Sequence, residues 1–250
     1  MPSNLVDQNI TLYTNVLCPS AHRARLALGE VGAKWEAVEI DLFNKPSWYK
    51  EKINPNGLVP VIQFGERDEA RKVPESGVIV ELIDSLFKES RPLLPSDPLE
   101  RAQMRYYAQR FDDVLKLPML GFGKDSSVDN FLQGIEELQG YIAERPGKFF
   151  SGDELGYWHV LFLIFRSRVD IFPVQSDIMV APFIARGFYF GEFGVQPMHD
   201  VFKRIESEEK YKVFQEYLKN LVEHPGFKKS WSQEANVENA KERFGFSAKR

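Results

Sequence analysis

A proline breaks the apolar run Leu58-Val59-Pro60-Val61-Ile62, directly after the turn signal Asn54-Pro55-Asn56-Gly57. Proline has no N–H to give to a β-ladder, so such a strand fits two settings. Either it lies at a sheet edge, or the Val59-Pro60 bond is cis, and cis bonds usually mark function. The neighbouring segments fill in around it. Ile10 to Tyr13 is short and β-prone. Pro19 suits the first turn of a helix, and Ala21, Ala24, Leu28 and Val31 follow at helical spacing as far as Gly32. Across Trp35 to Leu42, Val38, Ile40 and Leu42 alternate with polar residues, which predicts a second strand. A short helix is predicted after Lys45-Pro46-Ser47-Trp48, and a hairpin loop over the polar stretch Gly65 to Lys72. Ser76 is expected to cap a helix with Ile79, Leu82, Ile83 and Leu86 on one face. The predicted order is β-α-β-α-β-β-α, and Cys18 stands where the first strand gives way to the first helix.

Composition narrows the function. The net charge of −4 argues against a nucleic-acid partner, which would need a basic patch. No apolar run approaches the ~20 residues that span a bilayer, and the first nine residues are polar, so a cytoplasmic protein without a membrane partner is expected. Cys18 is the one cysteine among 250 residues, which rules out an internal disulfide and a dithiol mechanism. His22, His159, His199 and His224 show no metal-ligand spacing, and no metal is expected.

Several motifs converge on one family. Cys18-Pro19-Ser20-Ala21-His22-Arg23-Ala24-Arg25-Leu26 resembles the active-site helix of the omega class of the glutathione transferase superfamily. Asn44-Lys45-Pro46-Ser47-Trp48, Asn54 to Val61 and the pair Glu75-Ser76 resemble three further omega-class motifs, in order. The resemblance implies an α+β, thioredoxin-like N-terminal domain (1–90), a linker (91–98) and an all-helical C-terminal domain (99–250). It implies glutathione as co-substrate and Cys18 as the nucleophile, with Tyr13 the alternative, since other classes use Tyr or Ser.

The physical chemistry agrees with that role. The thiolate is the nucleophile, and unpaired N–H groups at a helix N-terminus stabilise it. Arg23 and Arg25 would add positive potential. The γ-glutamyl carboxylate of glutathione would dock at Ser76, its ammonium at Glu75, and its glycyl carboxylate at Lys45. Val59, presented by Pro60, would pair with the cysteinyl backbone as an added strand does. Ser76 as a mere cap, and Glu75 and Lys45 as solvated charges, are the bland readings. The expected activity is thiol transfer on mixed disulfides and dehydroascorbate, with one cysteine and a second glutathione completing the cycle. His22, one turn after Cys18, reads as an exposed helix residue that tunes or contacts the site at most.

The second half is helical by pattern. Leu99 to Leu117, Val128 to Ala143 and Val201 to Val222 read as amphipathic helices, and the uniformly apolar Tyr157 to Ile171 as a central buried one. The family opens that helix with a Ser/Thr-x-x-Asp box, whereas Gly156 and His159 occupy the corresponding positions here. A hydrophobic substrate cleft is expected from Pro19, Tyr106, Tyr107, Phe111, Phe122 and Arg168, with ordinary helix core as the competing reading. Phe183 to Phe193 is rich in rings and glycine and shows no regular period. Two other functions stay open: a non-catalytic binder of hydrophobic aromatic molecules and a channel-related member of the fold. The resemblance also implies a homodimer.

Overall fold

A computed structural model of the chain describes residues 9–65, 70–112, 128–143, 147–148, 175–192, 194, 196, 198–232, 234–236 and 238. These fall into two compact units. The first holds the described residues up to Pro92 together with those from Pro225 onward, and the second holds those from Leu93 to His224.

The first unit is built on four strands: β1 (Ile10–Thr14), β2 (Glu36–Glu39), β3 (Val61–Phe64) and β4 (Arg71–Pro74). They lie in the order β2-β1-β3-β4. β1 runs parallel to β2 and antiparallel to β3, with Leu12 opposite Ile62 and Tyr13 opposite Val61. The parallel pair requires a crossover, which α1 (Pro19–Glu30) supplies. α2 (Ser47–Lys52) links β2 to β3, and α3 (Ser76–Phe87) follows β4 and packs on α1. The predicted β-α-β-α-β-β-α order and thioredoxin-like character hold.

Three details differ from the sequence expectation. β3 starts at Val61, so Pro60 stands just outside the ladder and the strand is internal rather than an edge. Of the two settings expected for Pro60, the structure has the second, since the Val59-Pro60 bond is cis. β4 includes Arg71 and Lys72, which read as loop from their polarity; as an edge strand, β4 leaves Arg71 exposed and Lys72 half-buried while its backbone pairs with β3. β2 is shorter than Trp35 to Leu42, because pairing with β1 ends at Thr14 opposite Glu39.

The second unit, as described, is helical. It contains α4 (Pro98–Phe111), α5 (Val128–Ala143), α6 (Gln175–Glu192), α7 (Met198–Ser207) and α8 (Lys212–Glu223). Asp97 caps α4, its Oδ1 accepting from the Glu100 N–H at 2.9 Å. The expected helix from Val201 to Val222 is in fact two, since Glu208 is extended (φ −97°, ψ 119°) and a 3-10 turn follows. The stretch Phe183 to Phe193, which shows no period, lies mostly within α6. Ala181, Phe183, Ile184 and Ala185 are all buried, so the helix is covered on several sides and has no polar stripe to reveal it. Gly191 permits the approach of α7: a Cβ there would stand 2.6 Å from the Met198 carbonyl oxygen. No helix among the described residues is long and apolar enough to cross a membrane. The reading of Tyr157 to Ile171 as a central helix, and of Gly156 and His159 at its start, lies outside the described residues.

A last helix, α9 (Pro225–Ser230), belongs to the first unit and packs on α1.

Candidate functional site

Cys18 is the N-cap of α1, with the extended backbone of a cap residue (φ −80°, ψ 116°). Its Sγ accepts from the Ala21 N–H at 3.4 Å, in the place where a Ser or Asp oxygen ordinarily sits. Pro19 takes the first helical position, where no N–H is needed. The sulfur is half-buried and lies 3.9 Å from the Val59 carbonyl oxygen. The structure thus brings together Cys18 and Val59, 41 positions apart, with Pro60 next in the chain.

Beneath them is an apolar cluster of Tyr13, Ala21, Ile40, Tyr49, Val59 and Val61, with Cys18 packed against it. Tyr13 is a poor alternative to Cys18. It is buried, its hydroxyl donates to Gln63 Oε1 at 3.1 Å, and burial raises its pKa. Tyr49 was not singled out from sequence, yet it is fully buried here, and its hydroxyl donates to the Leu58 carbonyl at 2.7 Å. Burial first, then Tyr13 and Cys18 nearby, hold the Tyr49 hydroxyl well above its usual range. Asn54 Nδ2 donates to the same Leu58 carbonyl at 2.9 Å, and Asn54 Oδ1 accepts from the Asn56 N–H at 3.1 Å. Two side chains therefore hold the loop that delivers Val59. The Val59 N–H has no hydrogen-bond partner among the described residues, so its backbone remains available for strand-like pairing.

Glu75 and Ser76 form the corner between β4 and α3. Glu75, not Ser76, is the N-cap residue, at φ 72° and ψ 115°. A non-glycine residue held there stores roughly 1–3 kcal/mol of strain. The Glu75 side chain makes no capping bond and is exposed. Ser76 is the first residue of α3 and is buried, its Oγ accepting from Arg23 Nη1 at 3.3 Å. Ser76 as the helix cap is thus corrected: its hydroxyl is engaged by α1 instead. The free N–H groups of the first turn of α3 make this corner suited to a carboxylate.

Arg23 is 1% exposed and its Nη1 is directed at Ser76, whereas burial lowers the pKa of Arg25, opposed by the charge of Glu39. Lys45 is half-buried in the loop before α2 and has no ion-pair partner among the described residues. Asp41 shapes that loop: its Oδ1 accepts from the N–H groups of Phe43 and Asn44 at 2.8 and 3.0 Å, and these bonds lower the pKa of its carboxyl group.

His22 is fully buried, contrary to the exposed placement expected. It lies against the stacked pair of Phe227 and Trp231, with ring centroids at 5.3 and 6.0 Å. Ser230 Oγ donates to the Phe227 carbonyl and so accepts from His22 Nε2 at 2.8 Å. No sequence signal linked residues 208 positions apart.

Tyr106 and Tyr107 are on α4, as expected, with Tyr106 exposed. Tyr107 and Phe111 line a small pocket with Gly134 and Leu138 of α5, inside the second unit. Phe111 is buried and meets Phe183 at 6.0 Å, as helix core does. Phe122 and Arg168 lie outside the described residues. Among the described residues no group of side chains could hold a metal ion.

Comparison with known proteins assigns the chain. The family model for the glutathione S-transferase N-terminal domain matches residues 12–91. Human glutathione S-transferase omega-2 is 34% identical over 191 residues, covering 72% of this chain and 75% of its own. Glutathione transferase Omega 1C of Trametes versicolor superposes with a TM-score of 0.80 at 28% identity, covering 95% of this chain and 97% of its own. Omega 2S of the same fungus, solved with 2,4-dihydroxybenzophenone, gives a TM-score of 0.75 at 27% identity, covering 94% and 99%. With a cysteine-headed α1, a glutathione transferase N-terminal domain and these relatives, the chain belongs to the omega class of the glutathione transferase superfamily and is an omega-like, glutathione-dependent enzyme.

Proposed function

We propose that the chain is a glutathione-dependent thiol transferase working through Cys18 alone. The observation that carries this reading is the Cys18 sulfur at the N-cap of α1, accepting the Ala21 N–H. There an N–H of the first helical turn is directed at the sulfur, and the thiolate is the nucleophilic form of a cysteine. The Cys18 thiolate attacks the glutathionyl sulfur of a mixed disulfide. The old S–S bond breaks, the substrate leaves as a thiolate and takes a proton, and Cys18 becomes glutathionylated. A second glutathione thiolate then attacks the glutathionyl sulfur, forming glutathione disulfide and restoring Cys18.

Glutathione fits the residues present. Ser76 and the first turn of α3 would hold the γ-glutamyl carboxylate, Glu75 its ammonium, Val59 the cysteinyl backbone and Lys45 the glycyl carboxylate. The unpaired Val59 N–H and the uncommitted Glu75 and Lys45 side chains support this assignment. Dehydroascorbate is a second expected substrate, and a homodimer the expected assembly.

The test is glutathione-dependent reduction of a mixed disulfide by wild type and Cys18→Ser. The variant is expected to lose about two orders of magnitude or more in turnover. Equal activity in both would remove Cys18 from the reaction. A second reading, a binder of hydroxylated aromatics, draws on the Omega 2S complex with 2,4-dihydroxybenzophenone. It gains ground if both proteins are inactive while such a compound binds.

A further inference from the structure

The buried cation of α1 is the group that the scheme above leaves without a task. Arg23 is 1% exposed, five residues along the helix from Cys18, and its Nη1 donates to Ser76 Oγ at 3.3 Å. A guanidinium has donors only, so this bond occupies a lone pair of the hydroxyl and leaves the hydroxyl proton free. No acceptor for that proton exists among the described residues. Ser76 itself is 8% exposed, at the first position of α3, beside the strained Glu75. A hydroxyl that accepts from a cation is also polarised into a stronger donor.

We propose that Arg23 is a positioning residue for the anion-binding end of α3. It fixes the Ser76 oxygen so that the O–H is aimed, ready to donate, at the carboxylate that docks there. It also ties the anion corner to the helix that carries Cys18. Arg23 acts through Ser76 and touches neither glutathione nor the sulfur. The proposal rests on the glutathione reading above and deepens it.

The experiment is a double-mutant cycle on glutathione binding, measured by titration calorimetry, for wild type, Arg23→Met, Ser76→Ala and the double variant. Each single variant is expected to weaken binding about tenfold. The double variant is expected to bind about as weakly as either single one, rather than about a hundredfold more weakly than wild type. In turnover, KM for glutathione rises while kcat at saturation holds. Alkylation of Cys18 by iodoacetamide stays at the wild-type rate. Since removing a buried cation can unfold a chain, the cycle is repeated from Arg23→Lys, which keeps the charge and loses the planar fork. There the loss is about threefold, again not multiplied by Ser76→Ala. Wild type that fails to bind glutathione removes the functional reading and this proposal with it. Wild type that binds, with folded Arg23 variants that bind equally well or with effects that multiply, overturns the proposal alone.

Discussion

Asn54 illustrates how a single residue prepares the site without reaching it. Its amide is buried and bonded on both sides, to the Leu58 carbonyl and from the Asn56 N–H. Its own carbonyl accepts from Gly57, which sits at φ 67° as the turn requires. Asn54→Ala removes two bonds from a buried position and is expected to cost about 1–3 kcal/mol, measured by chemical denaturation. Because the same loop presents Val59, KM for glutathione is expected to rise in parallel. An unchanged KM in a destabilised variant would separate the loop from the site. Asn54 is legible in the sequence only as part of a turn motif; its amide bonds depend on where Leu58 comes to rest.

At the level of elements, α4 and α5 are joined by a charged clasp. Arg110 donates to both oxygens of Glu137 at 3.0 and 2.9 Å, and Tyr141 donates to Glu137 Oε1 at 2.8 Å. The Arg110 bonds, chiefly, depress the pKa of the Glu137 carboxyl group, while burial opposes them. A carboxyl group depressed in the folded state adds stability above its unfolded pKa, near 4.3, and loses that contribution as pH falls through the folded value. Glu137→Gln is therefore expected to flatten the acid limb of the stability-versus-pH curve below about pH 4.3. Denaturation midpoints across that range test it, and an unchanged acid limb would mean the clasp is not what acid breaks. The helical period revealed α4 and α5, but the pairing of Arg110 with Glu137 follows from their packing. α6 escaped for a different reason, since a helix buried on several sides carries no amphipathic stripe.

Over the molecule as a whole, the chain returns to its beginning. α9 packs on α1, and His22 meets the stacked rings of Phe227 and Trp231 in a cluster closed by the bond to Ser230. Phe227 is 2% exposed, so Phe227→Ala is expected to cost about 3–5 kcal/mol. Because α9 lies against the helix headed by Cys18, that variant is also expected to speed alkylation of the thiol. Thermal unfolding and iodoacetamide kinetics read the two effects. A stable variant with wild-type alkylation would reduce α9 to a passive cover.

The local sequence determined the order of the first seven elements, because most of them carry their own signal: the β-prone run at Ile10, the proline at the head of α1, the turn at Asn54 to Gly57, the apolar face of α3. It also determined the family and pointed to Cys18 as the nucleophile proposed above, because Cys18-Pro19 and Glu75-Ser76 are short motifs of adjacent residues. Tertiary structure alone decided which polar groups meet. Arg23 reaches Ser76 across 53 residues and His22 reaches Ser230 across 208, and no periodicity encodes such partners. A buried cation or imidazole must find a hydrogen-bond partner, but only the packing of α1 against α3 and α9 determines which one.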